Sequence, residues 1–153
     1  MVLISHRGNI HGPNPKKENR LSYLNAALDA KYQVEVDVWY EDGWWLGHDK
    51  PQYKVSFEWL TTTGWIWAHC KNIEAMRRMC EQQINHWPIV PHFFWHEHDT
   101  LTLTNRGVLW TYPNRPLTNF SICVLPEQAT YTKRQLKSAL GICSDYISKY
   151  KKL

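Results

Sequence analysis

Glu35 and Asp37 stand two apart in QVEVDVWY, a segment in which Val34, Val36 and Val38 take the intervening positions. Residues two apart on a strand share a face, so both carboxylates would project together with Trp39, opposite the valines. Two like charges that close raise each other's pKa unless something positive lies between them. A hard divalent cation meets that need, and carboxylate oxygens suit Mg²⁺ or Ca²⁺. The competing reading is a half-exposed strand whose acids are solvated.

Other reactive side chains lie close by in the sequence. His6-Arg7-Gly8 follows the apolar run VLIS, His48-Asp49 follows the turn signal EDGW, and His69 and Lys71 close the segment WIWAHCK. His6 and His48 could serve as proton donor and acceptor, since an imidazole titrates near neutral pH. Arg7 and Lys71 could hold an anion, arginine in bidentate fashion and lysine as a point charge. Gly8 would let the backbone turn sharply beside a ligand. Taken singly, each has an ordinary alternative: a packed histidine, or a surface ion pair. HFFWHEHD adds His92, His96 and His98, read as rim or substrate contacts rather than ligands because no H-E-x-x-H spacing is present. Trp95 and Trp110 could wall a cleft or fill the core.

Elements must bring these residues together. Residues 2–5 read as a buried strand and RLSYLNAALDAK as a helix, with Leu21, Leu24 and Leu28 at helical spacing. QVEVDVWY is a strand, WWLGH the arm of a hairpin, and WIWAHC a third strand. Asn72 can cap a helix that puts Ile73, Met76, Cys80 and Ile84 on one face. HFFWHEH, GVLWTY and SICVLPE read as strands joined by loops, among them DTLTLTNR. Thr132 and Gln135 form a capping box for a last helix that turns Leu136 and Leu140 inward and stops at Gly141. ICSDYI closes the chain's pattern as a strand. Alternating strands and helices favour a mostly parallel sheet, and seven or so strands suggest a closed barrel. The C-terminal strand ends of such a barrel would gather the reactive residues on one rim. A full (β/α)8 barrel takes about 250 residues, so this chain could form only a trimmed one.

At 153 residues the chain is expected to be one domain over 1–153. The formal charge of +4 favours anionic small molecules over nucleic acid. No apolar run is long enough for a membrane span, and the N-terminus has no secretory pattern. Four scattered cysteines with no C-x-x-C fit reduced thiols and a cytoplasmic location. Nine tryptophans could fill a small core, line a cleft or be buried in a homodimer.

The ordered set resembles the glycerophosphodiester phosphodiesterase family: His-Arg-Gly after the first strand, Glu18-Asn19 opening the first helix, Glu-x-Asp on the second strand, EDG, then His-Asp. The likeness covers residues 4–51 and continues weakly through HCKN and GICSDYI. It implies a trimmed TIM-type (β/α) barrel, with several outer helices replaced by loops, in an unusually short member. It also implies metal-dependent hydrolysis of a glycerophosphodiester to an alcohol and a phosphomonoester. By position, His6 and His48 match the catalytic histidines, Arg7 and Lys71 the phosphate contacts, and Glu35 and Asp37 the first metal ligands. The chain departs at His69, where the family has glutamate. The implied cofactor is Mg²⁺ or Ca²⁺, with Mn²⁺ or Zn²⁺ admitted if His69 ligates; water or Glu97 could instead complete the shell. Two alternatives stay open, a lyase that releases a cyclic phosphate and a barrel that binds a phosphate ligand without turnover.

Overall fold

The valines of β2 (Gln33–Tyr40) anchor the larger of the hydrophobic clusters. Val34, Val36 and Val38 are fully buried against Leu24 and Ala27 of α1 (Leu21–Asp29) and Met79 of α3 (Ile73–His86). The opposite face, carrying Glu35 and Asp37, is also buried, so the acids are not solvated. The computed structural model describes residues 1–86 and 90–153; Trp87, one of the tryptophans counted above, lies outside the described residues.

The chain is a mixed α/β protein with one ten-stranded sheet. Its further strands are β1 (Val2–His6), β3 (Trp44–Leu46), β4 (Tyr53–Val55), β5 (Ile66–Cys70), β6 (His92–Phe94), β7 (Leu101–Leu103), β8 (Leu109–Thr111), β9 (Ser121–Val124) and β10 (Gly141–Ser144). Among the described residues the remaining α-helices are α2 (Phe57–Thr61) and α4 (Lys133–Ser138), with short 3-10 turns at Pro126–Gln128 and Ile147–Tyr150. Strands β6, β5, β2, β1, β10, β9 and β8 pair in that order and run parallel. Antiparallel β3 and β4 extend the far half of β2, and antiparallel β7 pairs with β8.

The strand ladder does not close into the barrel expected from the strand count. Between β6 and β8 the chain folds back as the β7–β8 hairpin instead of crossing over through a helix. Asn105 ties that hairpin to β6, its backbone N–H donating to the Phe93 carbonyl at 2.9 Å while its side-chain oxygen accepts from Phe93 N–H at 2.9 Å. Phe94 stacks on Trp110 across the same gap, ring centroids 4.5 Å apart. β7 was expected as loop; its Leu-Thr alternation is a strand pattern, with Leu101 and Leu103 exposed.

Two other sequence expectations change for packing reasons. On α3 the buried stripe is Ala75 and Met79, while Ile73 is 71% and Ile84 81% exposed. At 100° per residue Ile73 and Ile84 lie nearly opposite Ala75 and Met79, so the covered face is turned away from the expected one, with Met76 at its edge and Cys80 exposed. Gly141 does not stop α4, which ends against Ala139; it opens β10, where an added Cβ would sit 2.6 Å from the Val2 carbonyl oxygen of β1. The Thr132–Gln135 capping box is present as expected. Trp67 and Trp110 are core residues, 2% and 1% exposed. Among the described residues the four cysteines are free, and no helix is long and apolar enough to cross a membrane.

Candidate active site

Parallel pairing brings the C-terminal ends of β1, β2 and β5 side by side, with His6 opposite Glu35 and Asp37 opposite His69 in register. A cavity of about 340 Å³ opens over these ends. Its wall contains His6, Arg7, Glu35, His48, His69 and Lys71, six of the seven site residues expected from sequence. The seventh, Asp37, is fully buried behind that wall and tied to three of the others.

The turn after β1 is built for close approach. Arg7 and Gly8 both have positive φ, and a Cβ on Gly8 would lie 2.7 Å from the Tyr23 ring. Arg7 N–H donates to the Glu35 carbonyl at 3.0 Å, which fixes β1 to β2 at the point where both side chains enter the cavity. Arg7 Nε then lies 2.9 Å from Asp37 Oδ2, and its Nη1 lies 3.4 Å from Glu18. Asn19, also at positive φ, donates from Nδ2 to Asp37 Oδ2 at 2.9 Å and accepts from Asp37 N–H at 3.0 Å.

The two expected histidines are each oriented by a carboxylate. His6 Nδ1 lies 2.8 Å from Asp145 Oδ1, leaving Nε2 on the Glu35 side at 3.8 Å. Asn9 braces the pair by donating to Asp145 at 2.8 Å and to Glu18 at 2.9 Å. His48 Nδ1 lies 2.6 Å from Asp49. The His48 loop is held by Trp39, whose indole N–H donates to the Gly47 carbonyl at 2.6 Å. His48 remains 45% exposed, at the mouth of the cavity rather than its floor.

Glu35, Asp37 and His69 form a buried group whose ligand atoms all lie within 4.8 Å of one another. A cation with ligands at about 2.0–2.4 Å spans that distance. Two observations fit such a cation. Asp37 Oδ1 is buried and its contacts are ion pairs only, with His69 Nδ1 at 3.2 Å and Lys71 Nζ at 3.7 Å. Burial and the adjacent charge of Asp37 also raise the pKa of Glu35, so the pair is short of positive charge on the Glu35 side. Burial opposes ionisation of Asp37 as well, but His69 and Arg7, then Lys71, hold its carboxyl well below the usual range. Burial alone would lower His6; the Asp145 hydrogen bond and the Glu35 charge outweigh it and raise the imidazole above its ordinary value.

The far wall is aromatic. Trp95, His96, Glu97, Trp110 and Tyr112 line it. Tyr112 Oη lies 2.6 Å from His96 Nε2, and the His96 ring stacks on His69 at 4.4 Å. Burial, with His69 and Lys71 nearby, pushes His96 down to about 4. Of the other histidines weighed from sequence, His92 stacks on Trp67 at 3.9 Å and His98 is exposed. Glu97 lines the cavity but stands outside the three-residue group. Sequence reasoning assigned no role to Asn9, Asp145 or Tyr112, and quoted Asn19 and the GICSDYI segment that holds Asp145 only as part of the resemblance; ICSDYI was expected as strand throughout, whereas β10 ends at Ser144 and Asp145 follows it.

No protein-family model, curated protein or solved structure matches the chain. What the fold and site define is a mixed α/β protein with a polar cavity at the ends of parallel strands and a buried Glu-Asp-His group beneath it.

Proposed function

We propose that this chain is a divalent-metal-dependent phosphodiester hydrolase built on a trimmed (β/α) barrel, similar to the glycerophosphodiester phosphodiesterases. The observation that carries the proposal is the single cavity onto which two carboxylate-oriented histidines, an arginine, a lysine and Glu35 converge, with Asp37 buried directly behind its wall. Residues matched from separated segments of the sequence need not share a site, and here they do. The seven parallel strands, bridged across their gap by Asn105 and the Phe94–Trp110 stack, support the barrel reading.

Glu35, Asp37 and His69 would hold the cation, which when bound supplies Lewis-acid stabilisation of charge on the phosphoryl oxygens. Arg7 and Lys71 flank the same group and would contact the phosphate. Because Asp145 engages Nδ1 of His6 and Asp49 engages Nδ1 of His48, the Nε2 atoms are the ones presented to substrate. One Nε2 accepts the proton of an attacking water as its oxygen bonds to phosphorus; the other gives a proton to the alkoxide as its P–O bond breaks. Products are an alcohol and a phosphomonoester. If a hydroxyl of the substrate replaces water, the same proton transfers yield a cyclic phosphate. A homodimer belongs to the same reading, with the exposed Ile73 and Ile84 of α3 as apolar surface to cover.

The test is a panel of glycerophosphodiesters incubated with the protein and Mg²⁺, Ca²⁺, Mn²⁺ or Zn²⁺, with products read by phosphorus NMR. Monoester formation that requires a metal supports the hydrolase. A cyclic product establishes the lyase instead, and binding without turnover establishes a phosphate-binding protein.

A further inference from the structure

His69 is where this chain parts from the family it resembles, and its surroundings decide which ring nitrogen can act. Nε2 lies 3.3 Å from the backbone carbonyl of His96. A carbonyl oxygen only accepts, so Nε2 is the donor of that contact whenever Nδ1 is given to a cation. Nδ1 faces Asp37 Oδ1 at 3.2 Å, and a carboxylate oxygen also only accepts, so either a proton or a bound cation stands between these two atoms, and a cation there replaces the Nδ1 proton. The ring plane is set as well: it stacks against Phe94 with planes 8° apart and against His96 with planes 6° apart. A half-turn would keep that plane but take Nδ1 away from Asp37 and Nε2 away from the His96 carbonyl.

The carbonyl contact at Nε2 is one that a metal-binding imidazole makes. Such a ring gives its second N–H to a carbonyl or carboxylate, which fixes the tautomer and directs the free lone pair at the ion. Glu35 and Asp37 supply oxygens on either side, and the three ligand atoms lie close enough for one ion. Ca²⁺ prefers six to eight oxygen ligands, and Mg²⁺ an octahedron of oxygens. A neutral imidazole in place of a third carboxylate removes a charge and adds a nitrogen, which suits first-row transition ions and zinc.

The geometry points to a centre that selects Zn²⁺ or Mn²⁺ over Ca²⁺ and Mg²⁺, with Nδ1 of His69 as the selecting ligand. This inference rests on the reading that Glu35 and Asp37 hold a cation. It goes further by making the third ligand part of the fold and not an interchangeable water.

The experiment is calorimetric titration of the metal-free full chain with each of the four chloride salts, without substrate. Binding at this centre is the part that Asp37→Asn removes. The expected result is Zn²⁺ and Mn²⁺ at least about 10-fold tighter than Ca²⁺. His69→Glu should erase that preference while Ca²⁺ still binds. In ¹⁵N-histidine-labelled protein, Zn²⁺ should shift Nδ1 of His69 while Nε2 keeps its proton. Equal wild-type affinity for Ca²⁺ and Mn²⁺, an unchanged ratio in His69→Glu, or Zn²⁺ on Nε2 would each overturn the selectivity and leave the metal site standing. No Asp37-dependent binding by any of the four ions would overturn the selectivity and the metal-dependent function together.

Discussion

His6 and Asp145 lie 139 positions apart in the chain, yet His6 Nδ1 and Asp145 Oδ1 are 2.8 Å apart. Strand β1 delivers the histidine, β10 delivers the carboxylate one residue past its end, and the parallel pairing of β1 with β10 sets them side by side. Asp145 is itself held: burial raises its carboxyl, but the bonds from His6 and Asn9 bring it below its ordinary value, so it faces His6 as an anion. Removing that anion should do two separable things. In Asp145→Asn, burial regains its pull on His6 and the imidazole pKa falls. Turnover should drop about 100-fold, and the limb of the pH–rate profile set by His6 should move to lower pH. A lowered rate with an unshifted limb would mean that Asp145 supports the fold and does not tune the histidine.

His92 sets a different pH dependence, one of stability. Its ring stacks on buried Trp67 at 3.9 Å, and its Nδ1 is buried without a hydrogen bond. Burial, then the charge of Arg106, pushes its pKa down to about 4. A folded pKa below the unfolded value of about 6.5 means that the unfolded chain takes up the proton first as pH falls. The protein should therefore lose stability between about pH 6.5 and pH 4, with no further loss from this group below that window. After allowance for partial exposure the loss is about 1–2 kcal/mol. Urea unfolding of wild type and His92→Phe at pH 7 and pH 4.5 checks it. Equal pH sensitivity in the two proteins would refute the assignment.

Gly141 holds β10 against β1. A methyl group there would lie 2.6 Å from the Val2 carbonyl oxygen, 2.8 Å from Val2 Cβ and 2.9 Å from Ile122 Cδ1, and two of these are backbone or Cβ atoms that cannot swing aside. Gly141→Ala should cost about 2–3 kcal/mol in urea unfolding. Because Asp145 directly follows β10, activity per folded molecule should fall too. A variant as stable as wild type would show that the two strands can part without cost.

These three positions also mark where sequence reasoning reaches and where it stops. The valine alternation of β2 and the capping box of α4 are local patterns, and both appear as expected. The convergence of His6, Glu35, His69 and Lys71 was legible because parallel strands share a C-terminal rim. The Asp145 partner of His6 was not, because the pairing depends on the register of β10 against β1. The α3 face was misplaced because apolar periodicity shows which residues could be buried, not which side of the helix turns to the sheet. Gly141 reads as a helix stop in sequence, since a glycine after a helix is a common cap; only the β1 backbone beside it reveals the steric reason. The orientation of His69 depends on a carbonyl 27 residues away, which no residue type encodes.

The two oriented histidines should behave as a unit. His48 sits exposed on its loop, so His48→Ala should leave the fold unchanged, whereas His6 is braced by Asp145 and near Glu35. If one imidazole accepts a proton and the other donates one in a single displacement, each is needed for the other's contribution. His6→Ala and His48→Ala should each lower turnover by about 100-fold or more, and the double variant should be little slower than the worse single. Circular dichroism on all three guards against loss of fold. Fully additive losses would mean that the histidines act in separate steps, which is the behaviour expected if a cyclic phosphate forms first and is opened later. Substantial turnover in both single variants would remove the acid–base assignment altogether and leave the Glu-Asp-His centre with Arg7 and Lys71 to account for any remaining activity.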